Sequence, residues 1–376
     1  MNEQTFNFGV QQAQAYDQVS RWLEQCAAER KARKPLSKPI FRLFGYAGTG
    51  KTTIARRLTE GWQVAFCAFT GKAALMMRRN GCVDAATIHS SIYTVIDNGD
   101  GTIAFSINRE GAFSCADLVV TDECSMVDED LAKDMLSFKK PILALGDPAQ
   151  LPPVNGEGYF TGAEPDVMLT EIHRQAEGSP IIRLATMARN GQSIPRGDYG
   201  DCRVIARGTL SDEEVMQADQ VIVGMNRTRQ AFNTRMRRII GREGPMPEPG
   251  DRLVCLKNDR EHGIFNGGLF RVEENLKRRS QSDMLRMKVA SEDFDKTVIV
   301  QVRREFFFGG LENLTWRDKR NSQQFDYGYA LTCHKSQGSQ WGHVIAYDES
   351  RVFGEDAKRW LYTAITRAQD KIQIVI

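Results

Sequence analysis

Gly45-Tyr46-Ala47-Gly48-Thr49-Gly50-Lys51-Thr52 is the stretch on which the reading of this chain turns. It follows the apolar run Ile40-Phe41-Arg42-Leu43-Phe44 and precedes a helical-looking segment from Thr53 to Leu58. Strand, glycine-rich loop and helix in that order make a phosphate cradle. The glycines let backbone N–H groups converge on phosphate oxygens, and the helix N-terminus adds partial positive charge. In this reading Lys51 reaches the β- and γ-phosphates and the Thr52 hydroxyl binds Mg²⁺. The sequence therefore predicts a nucleoside-triphosphate site, with Gly45, Gly48, Thr49, Gly50, Lys51, Thr52 and Thr53 around the phosphates.

Two further strand ends belong with it. Leu118-Val119-Val120-Thr121-Asp122-Glu123 is an apolar run closing on two acids, the first lying 71 residues after Lys51. A carboxylate at a strand end beside a phosphate loop holds Mg²⁺, commonly through water, which is the role expected of Asp122. A second acid next to it polarises the attacking water, making Glu123 the general-base candidate. Leu145-Gly146-Asp147-Pro148-Ala149-Gln150-Leu151-Pro152-Pro153-Val154 is another strand running into a loop, where Gln150 is placed to sense the γ-phosphate.

Around these motifs short apolar runs alternate with helical stretches. They lie at Val64 to Phe69, Leu118 to Thr121, Ile142 to Leu145 and Val167 to Leu169, the βαβ rhythm of a parallel sheet. A helix is expected over the first thirty or so residues, with an apolar face of Val10, Ala13, Tyr16, Val19, Trp22 and Leu23. A second α/β set appears at Gln220 to Gly224, Val344 to Tyr347 and Ile372 to Ile376. It is split by an insertion from about Gly250 to Phe325 whose short β-like runs read as a small all-β barrel. Another insertion, about Tyr93 to Asn108, holds Asn98-Gly99-Asp100-Gly101 between apolar runs, a hairpin signal.

Composition narrows the class. The 376 residues are 41% hydrophobic and 26% charged, with a net charge of +2. That is a globular chain with room for two or three domains. No apolar run approaches a membrane span, and Met1 to Val10 lacks the basic-then-apolar pattern of a secretory signal. Eight cysteines and five histidines are scattered with no C-x-x-C pair, which argues against zinc and for reduced thiols in a cytosol. Basic clusters recur at Arg30-Lys31, Arg33-Lys34, Arg78-Arg79, Arg235 to Arg242, Lys277-Arg278-Arg279 and Arg317 to Arg320. Singly they are solvated faces; collectively they suit a phosphate-lined channel.

With these motifs in order, the chain resembles superfamily 1 helicases of the RecD- and Dda-like 1B branch. The resemblance runs over nearly the whole length. It is carried also by Ala68-Phe69-Thr70-Gly71-Lys72-Ala73-Ala74, Thr87-Ile88-His89-Ser90 and Leu169-Thr170-Glu171-Ile172-His173-Arg174-Gln175. The last two motifs are Thr332-Cys333-His334-Lys335-Ser336-Gln337-Gly338-Ser339 and Leu361-Tyr362-Thr363-Ala364-Ile365-Thr366-Arg367-Ala368. The fold it implies is α/β: two RecA-like P-loop domains with parallel sheets, a β-hairpin insertion and a small SH3-like β-barrel insertion. The expected boundaries are residues 1–185 for the first domain, with the hairpin at 92–115. Residues 186–249 and 326–376 make the second, and 250–325 the SH3-like insert.

The resemblance also implies roles. Arg174 and Arg367 neutralise charge on the γ-phosphate. Gln12 reads adenine, with Gln11 and Gln14 as close alternatives; His173 stacks on it, and Gly338 belongs to the nucleotide site. Thr70, Gly71, His89, Pro152, Thr332, His334 and Lys335 line a single-stranded DNA track. Buried, hydrogen-bonded imidazoles are the alternative for His89 and His334, and core packing for Trp341. In the hairpin, Phe105 is either a strand-separation pin or an ordinary hairpin phenylalanine.

The function implied is an ATP-dependent DNA helicase using ATP and Mg²⁺, moving 5′→3′ on single strands as two domains close and reopen. The alternative is a DNA-stimulated ATPase that strips proteins from DNA without efficient unwinding. A P-loop small-molecule kinase is the rival from another class, disfavoured by the second α/β set and by Arg174 and Arg367. Expected partners are single-stranded DNA, single-to-double-strand junctions and replication or recombination proteins, with no membrane. The short flanks before Gln12 and after the last motif fit a stand-alone monomeric motor, cytoplasmic, or in the host cytoplasm if phage-encoded.

Overall fold

The computed structural model describes residues 8–59, 61–97, 103–153, 158–171, 178–259, 262, 264–276, 284–293 and 295–376, with only the backbone for 95–97 and 103–105. The chain divides into two compact units. One comprises residues 1–69, 73–94 and 105–189; the other comprises 70–72, 95–104 and 190–376.

The first unit is built on a six-stranded parallel sheet. Its order is Ala86–Thr87, Val64–Ala68, Leu118–Asp122, Ile142–Gly146, Ile40–Gly45, Val167–Leu169. Each pairing is parallel, as strands connected by crossover helices must be. Leu118–Val120 and Ile142–Gly146 are apolar because both faces of the sheet are covered, one by the cluster around Trp22, Leu43 and Leu145, the other by that around Phe44, Phe113 and Phe160. All the chemistry-bearing loops leave the carboxyl ends of these strands, where open α/β sheets bind ligands.

The N-terminal helix runs Val10–Lys31, as the apolar spacing predicts, but its buried face is shifted. Val10 is 69% exposed and Ala13 is also at the surface, whereas Gln12, Ala15, Val19, Trp22, Leu23 and Cys26 are buried. A polar residue takes an inward place because its amide has a partner there, Thr49 O at 3.0 Å.

The second unit holds a sheet ordered Ala330–Thr332, Gln220–Val223, Trp341–Tyr347, Ala368–Val375, Cys202–Ile205, Gly197–Tyr199. It is parallel except for its last strand. A separate antiparallel sheet runs Thr297–Arg303, Met284–Ser291, Leu269–Asn275, Arg252–Cys255, Phe325–Tyr327. Its alternation is clear in Thr297–Arg303, where Val298, Val300 and Val302 point inward between exposed neighbours. The insert is not all β. Short helices occupy Glu305–Phe308 and Trp316–Arg320. Gly309 and Gly310, both at positive φ, end the first, and a Thr315/Asp318 capping box starts the second.

The insert is fastened to its unit through a buried carboxylate. Asp251, fully buried, accepts from Arg237 Nε at 3.1 Å, Arg242 Nη1 at 2.9 Å, Tyr329 OH at 2.8 Å and the Glu248 amide at 2.7 Å. The strands Tyr93–Asp97 and Ile103–Ile107 form a two-stranded sheet; residues 98–102, where the hairpin signal falls, and the Phe105 side chain lie outside the described residues. No helix among the described residues is long and apolar enough to cross a membrane.

Candidate nucleotide and nucleic-acid site

The strand Ile40–Gly45 hands directly into the phosphate loop. Gly45 pairs in register with Leu169, and a Cβ there would fall 2.6 Å from Thr49 Oγ1 and 2.8 Å from Leu169 Cβ, so only glycine fits. Gly48 and Gly50 sit at φ 80° and 81°, the left-handed backbone the loop needs. Gly50 caps the helix Lys51–Leu58, which aims its N-terminus at the loop. Lys51 Nζ donates to Gly45 O at 2.5 Å and Tyr46 O at 3.0 Å. Its ammonium thus rests on the loop's own carbonyls, partners it can exchange for phosphate oxygens. Thr53 is half-buried in the first turn of the same helix.

Thr52 Oγ1 donates to Asp122 Oδ2 at 2.9 Å. The other carboxylate oxygen, Oδ1, accepts the Glu123 amide at 2.8 Å. Glu123 sits at φ 52°, a left-handed conformation costly for a residue with a side chain. That kink turns the chain out of the strand and into a short 3₁₀ turn, Cys124–Met126, leaving two adjacent acids with different surroundings. Below them Cys124 Sγ lies 2.6 Å from where a Cβ on Gly146 would stand, so a glycine is required there too. Burial pushes the Cys124 thiol well above its ordinary pKa and takes the Cys67 thiol up to about 12; both are packing residues.

Among the described residues no cluster of three or more histidine, cysteine or acidic side chains is arranged to hold a metal. The paired oxygens of Thr52 and Asp122 still suit Mg²⁺, an ion that takes few protein ligands and completes its octahedron with phosphate and water.

Gln150 is buried, and among the described residues its Oε1 has no hydrogen-bond partner. An orphaned buried carbonyl at the end of the Ile142–Gly146 strand is what a residue awaiting a ligand or water looks like. The three glutamines sit differently. Gln12 Nε2 reaches Thr49 O, Gln11 ties Thr170 and Glu171 through their amides at 2.9 Å each, and Gln14 is exposed. His173 and Arg174 lie outside the described residues.

Of the residues expected to line a nucleic-acid track, His89 stands between Phe69 and Tyr93, each ring centroid 5.9 Å away. Desolvation lowers its pKa, opposed by Asp128. Pro152 is half-buried, and Thr70 and Gly71 fall at the start of the helix Gly71–Arg79. In the second unit Thr332 caps the four-residue helix Cys333–Ser336. His334 packs 5.8 Å from Phe353, and its pKa is lowered by burial; Lys335 projects at the surface with its pKa lowered by desolvation and by Arg229. Trp341 is a buried strand residue, on the packing side of the two alternatives.

Gly338 adopts φ 74°. Arg367 is 3% exposed, and its guanidinium is fixed by Thr363 O at 3.1 Å, Thr366 Oγ1 at 3.1 Å and Ser339 O at 3.3 Å. It is therefore a positioned cation within its unit and not a loose surface charge. A further residue escaped the sequence reading. Glu349 accepts from the Gly224 and Met225 amides at 2.7 and 2.9 Å and from Thr228 Oγ1 at 2.6 Å. A carboxylate at the start of the helix Asn226–Ile239 complements its dipole, but its partners lie over 120 residues away and no local motif marks it.

Comparison with known proteins now adds lineage to geometry. A family model described as "AAA domain" matches residues 26–201, and one described as "UvrD-like helicase C-terminal domain" matches residues 327–375. The ATP-dependent RecD2 DNA helicase of Deinococcus radiodurans is 29% identical over 92% of this chain and 50% of its own length. In the order of these two models, and over nearly its whole length, the chain is similar to the RecD2 type of DNA helicase. The conjugal transfer protein TraA of Agrobacterium fabrum is 24% identical over 89% of this chain and 31% of its own length. The chain spans half or less of the length of those two relatives. Its fold matches Bacteroides Pif1 bound to ssDNA (TM-score 0.60, 17% identity, 98% of this chain and 92% of that one). It also matches the Pif1 helicase of Candida albicans (TM-score 0.57, 18% identity, 99% and 94%).

Proposed function

We propose that this chain is an ATP-dependent DNA helicase motor that translocates 5′→3′ on single-stranded DNA and couples ATP hydrolysis to duplex unwinding. The observation that carries the reading is the Thr52–Asp122 bond beside the phosphate loop in a chain similar to the RecD2 DNA helicase. Lys51 leaves the carbonyls of Gly45 and Tyr46 for the β- and γ-phosphates. Thr52 and Asp122 supply the protein oxygens for Mg²⁺, which, when bound, neutralises charge spread over the phosphates. Glu123 takes a proton from the attacking water, Gln150 orients that water or the γ-phosphate, and Arg174 and Arg367 neutralise the charge that develops. Gln12 and His173 attend the adenine.

In the same reading residues 1–185 are the first RecA-like domain, and 186–249 with 326–376 the second. The antiparallel insert of 250–325 is SH3-like, and 92–115 is the strand-separation hairpin with Phe105 at the parting pair. Thr70, Gly71, His89, Pro152, Thr332, His334 and Lys335 grip the strand through hydroxyls, amides and small surfaces. The protein acts as a monomer in the cytoplasm, on single strands and junctions met in replication, recombination or repair.

The test is strand displacement on duplexes carrying either a 5′ or a 3′ single-stranded tail, with ATPase measured in parallel. Unwinding of the 5′-tailed duplex alone is expected. Unwinding of the 3′-tailed duplex alone overturns the polarity. DNA-stimulated ATPase without displacement on either substrate would make the chain a protein-stripping translocase instead.

A further inference from the structure

One feature of the phosphate loop has no part in holding phosphate. The second residue of the loop, Tyr46, carries the guanidinium of Arg189 over its ring, 3.5 Å from the centroid. No carboxylate among the described residues pairs with Arg189, so the ring is its partner. Tyr46 is also the residue whose carbonyl takes Lys51 Nζ at 3.0 Å, Thr49 Oγ1 at 2.9 Å and the Thr49 amide at 3.4 Å. Its backbone therefore reads where Lys51 is, while its side chain holds an arginine.

That arginine is the last residue of the helix Pro180–Arg189 and of the first unit's final segment; from Asn190 to its end the chain belongs to the second unit. The same helix meets the loop again at its other end. Ile182 Cδ1 lies 3.8 Å from where a Cβ on Gly48 would stand. The helix thus lies along the loop and touches it at two points, one of them electrostatic.

We infer that Tyr46 and Arg189 are a positioning pair that ties the state of the phosphate loop to the segment through which the chain enters the second unit. When phosphates draw Lys51 away, the Tyr46 carbonyl loses its ammonium partner and the loop resettles. The stacked guanidinium carries that shift to the end of the helix. The pair acts through the loop backbone and Lys51, so both are positioning residues. It fits no demand of the phosphate cradle itself, which needs only glycines, Lys51 and Thr52. The inference rests on the proposed DNA-dependent motor, because what it couples is hydrolysis to DNA.

The experiment compares wild type with Tyr46→Phe, Tyr46→Ala, Arg189→Lys, Arg189→Ala and the Tyr46→Ala/Arg189→Ala double variant. It measures ADP affinity without DNA, then kcat and KM for ATP with and without a single-stranded oligonucleotide, and thermal melting. Arg189→Ala is expected to leave ADP affinity within about threefold while lowering DNA-stimulated kcat about three- to tenfold, the range set by one stacked cation. Tyr46→Ala should match it, Tyr46→Phe should stay near wild type because the ring face is kept, and the double variant should be no worse than either single. Equal loss in Tyr46→Phe and Tyr46→Ala, additive losses, or a loss confined to ADP affinity overturns the inference. Should Tyr46→Ala fail to fold, Arg189→Ala against Arg189→Lys decides alone: unchanged DNA-stimulated kcat in Arg189→Ala overturns it. A wild-type ATPase indifferent to DNA would instead remove the motor reading beneath it.

Discussion

Thr52 Oγ1 and Asp122 Oδ2 stand 2.9 Å apart although 70 residues separate them in the chain. Parallel pairing of strands that each end at the same edge brings them together, and their two oxygens face one small volume. Removing either oxygen should weaken Mg²⁺ binding more than nucleotide binding. Asp122→Asn is expected to raise the Mg²⁺ concentration needed for half-maximal ATPase at least about tenfold, and chelation of Mg²⁺ to abolish turnover. A Mg²⁺ titration of ATPase checks this; an unchanged midpoint in Asp122→Asn removes the carboxylate from the metal site.

The neighbouring acid should behave differently. Glu123 is held in a left-handed conformation one residue beyond Asp122, so its carboxylate is not part of the Thr52 pair. Glu123→Gln keeps shape and removes only the base. Hydrolysis should fall about 10²- to 10⁴-fold while affinity for a non-hydrolysable ATP analogue holds. Single-turnover hydrolysis with parallel analogue binding separates the two, and loss of binding would make Glu123 a ligand.

Much of this site was legible because its signals are local. A glycine loop after an apolar run, and a strand ending in two acids, each occupy fewer than ten residues, and the strands came where the runs lay. The N-terminal helix shows the limit. Apolar spacing placed Val10 and Ala13 inside, yet Gln12 is buried in their stead because Thr49 O offers a distant hydrogen bond that periodicity does not register. Glu349 escaped for the same reason, since its partners are over 120 residues away; Asp251 has Arg237, Arg242 and Glu248 within 14 residues, but no motif marks the carboxylate as their common acceptor. The short helices at Glu305–Phe308 and Trp316–Arg320 were missed differently. Gly309-Gly310 and the Thr315-x-x-Asp318 capping box were in the sequence, but were masked by the surrounding β-like runs.

Asp251 offers a stability test independent of catalysis. It is fully buried and answers two arginines, a tyrosine hydroxyl and an amide. Asp251→Ala leaves Arg242 without its carboxylate and Arg237 with only Glu248 at 3.8 Å, and breaking a buried pair from one side costs about 3–5 kcal/mol. Urea unfolding followed by circular dichroism should show that loss in the transition of the second unit. A loss under about 1 kcal/mol would mean that water or other acceptors replace the carboxylate.

His334 carries the last prediction, and its sign follows from burial. Desolvation lowers its folded pKa below the ordinary imidazole value, with Asp356 opposing. The unfolded chain therefore binds the proton more readily. The stability contributed by a neutral His334 is fully present above the unfolded pKa of about 6.5 and is lost as pH falls through the lower folded value. His89 and His343 shift the same way, so melting temperature should fall between pH 7.5 and pH 5 in the wild type. His334→Asn removes one of the three protonation sites and should make that fall shallower. Melting followed across this pH range checks it: an equally steep fall in His334→Asn would show that the imidazole is as readily protonated in the folded protein as in the unfolded chain.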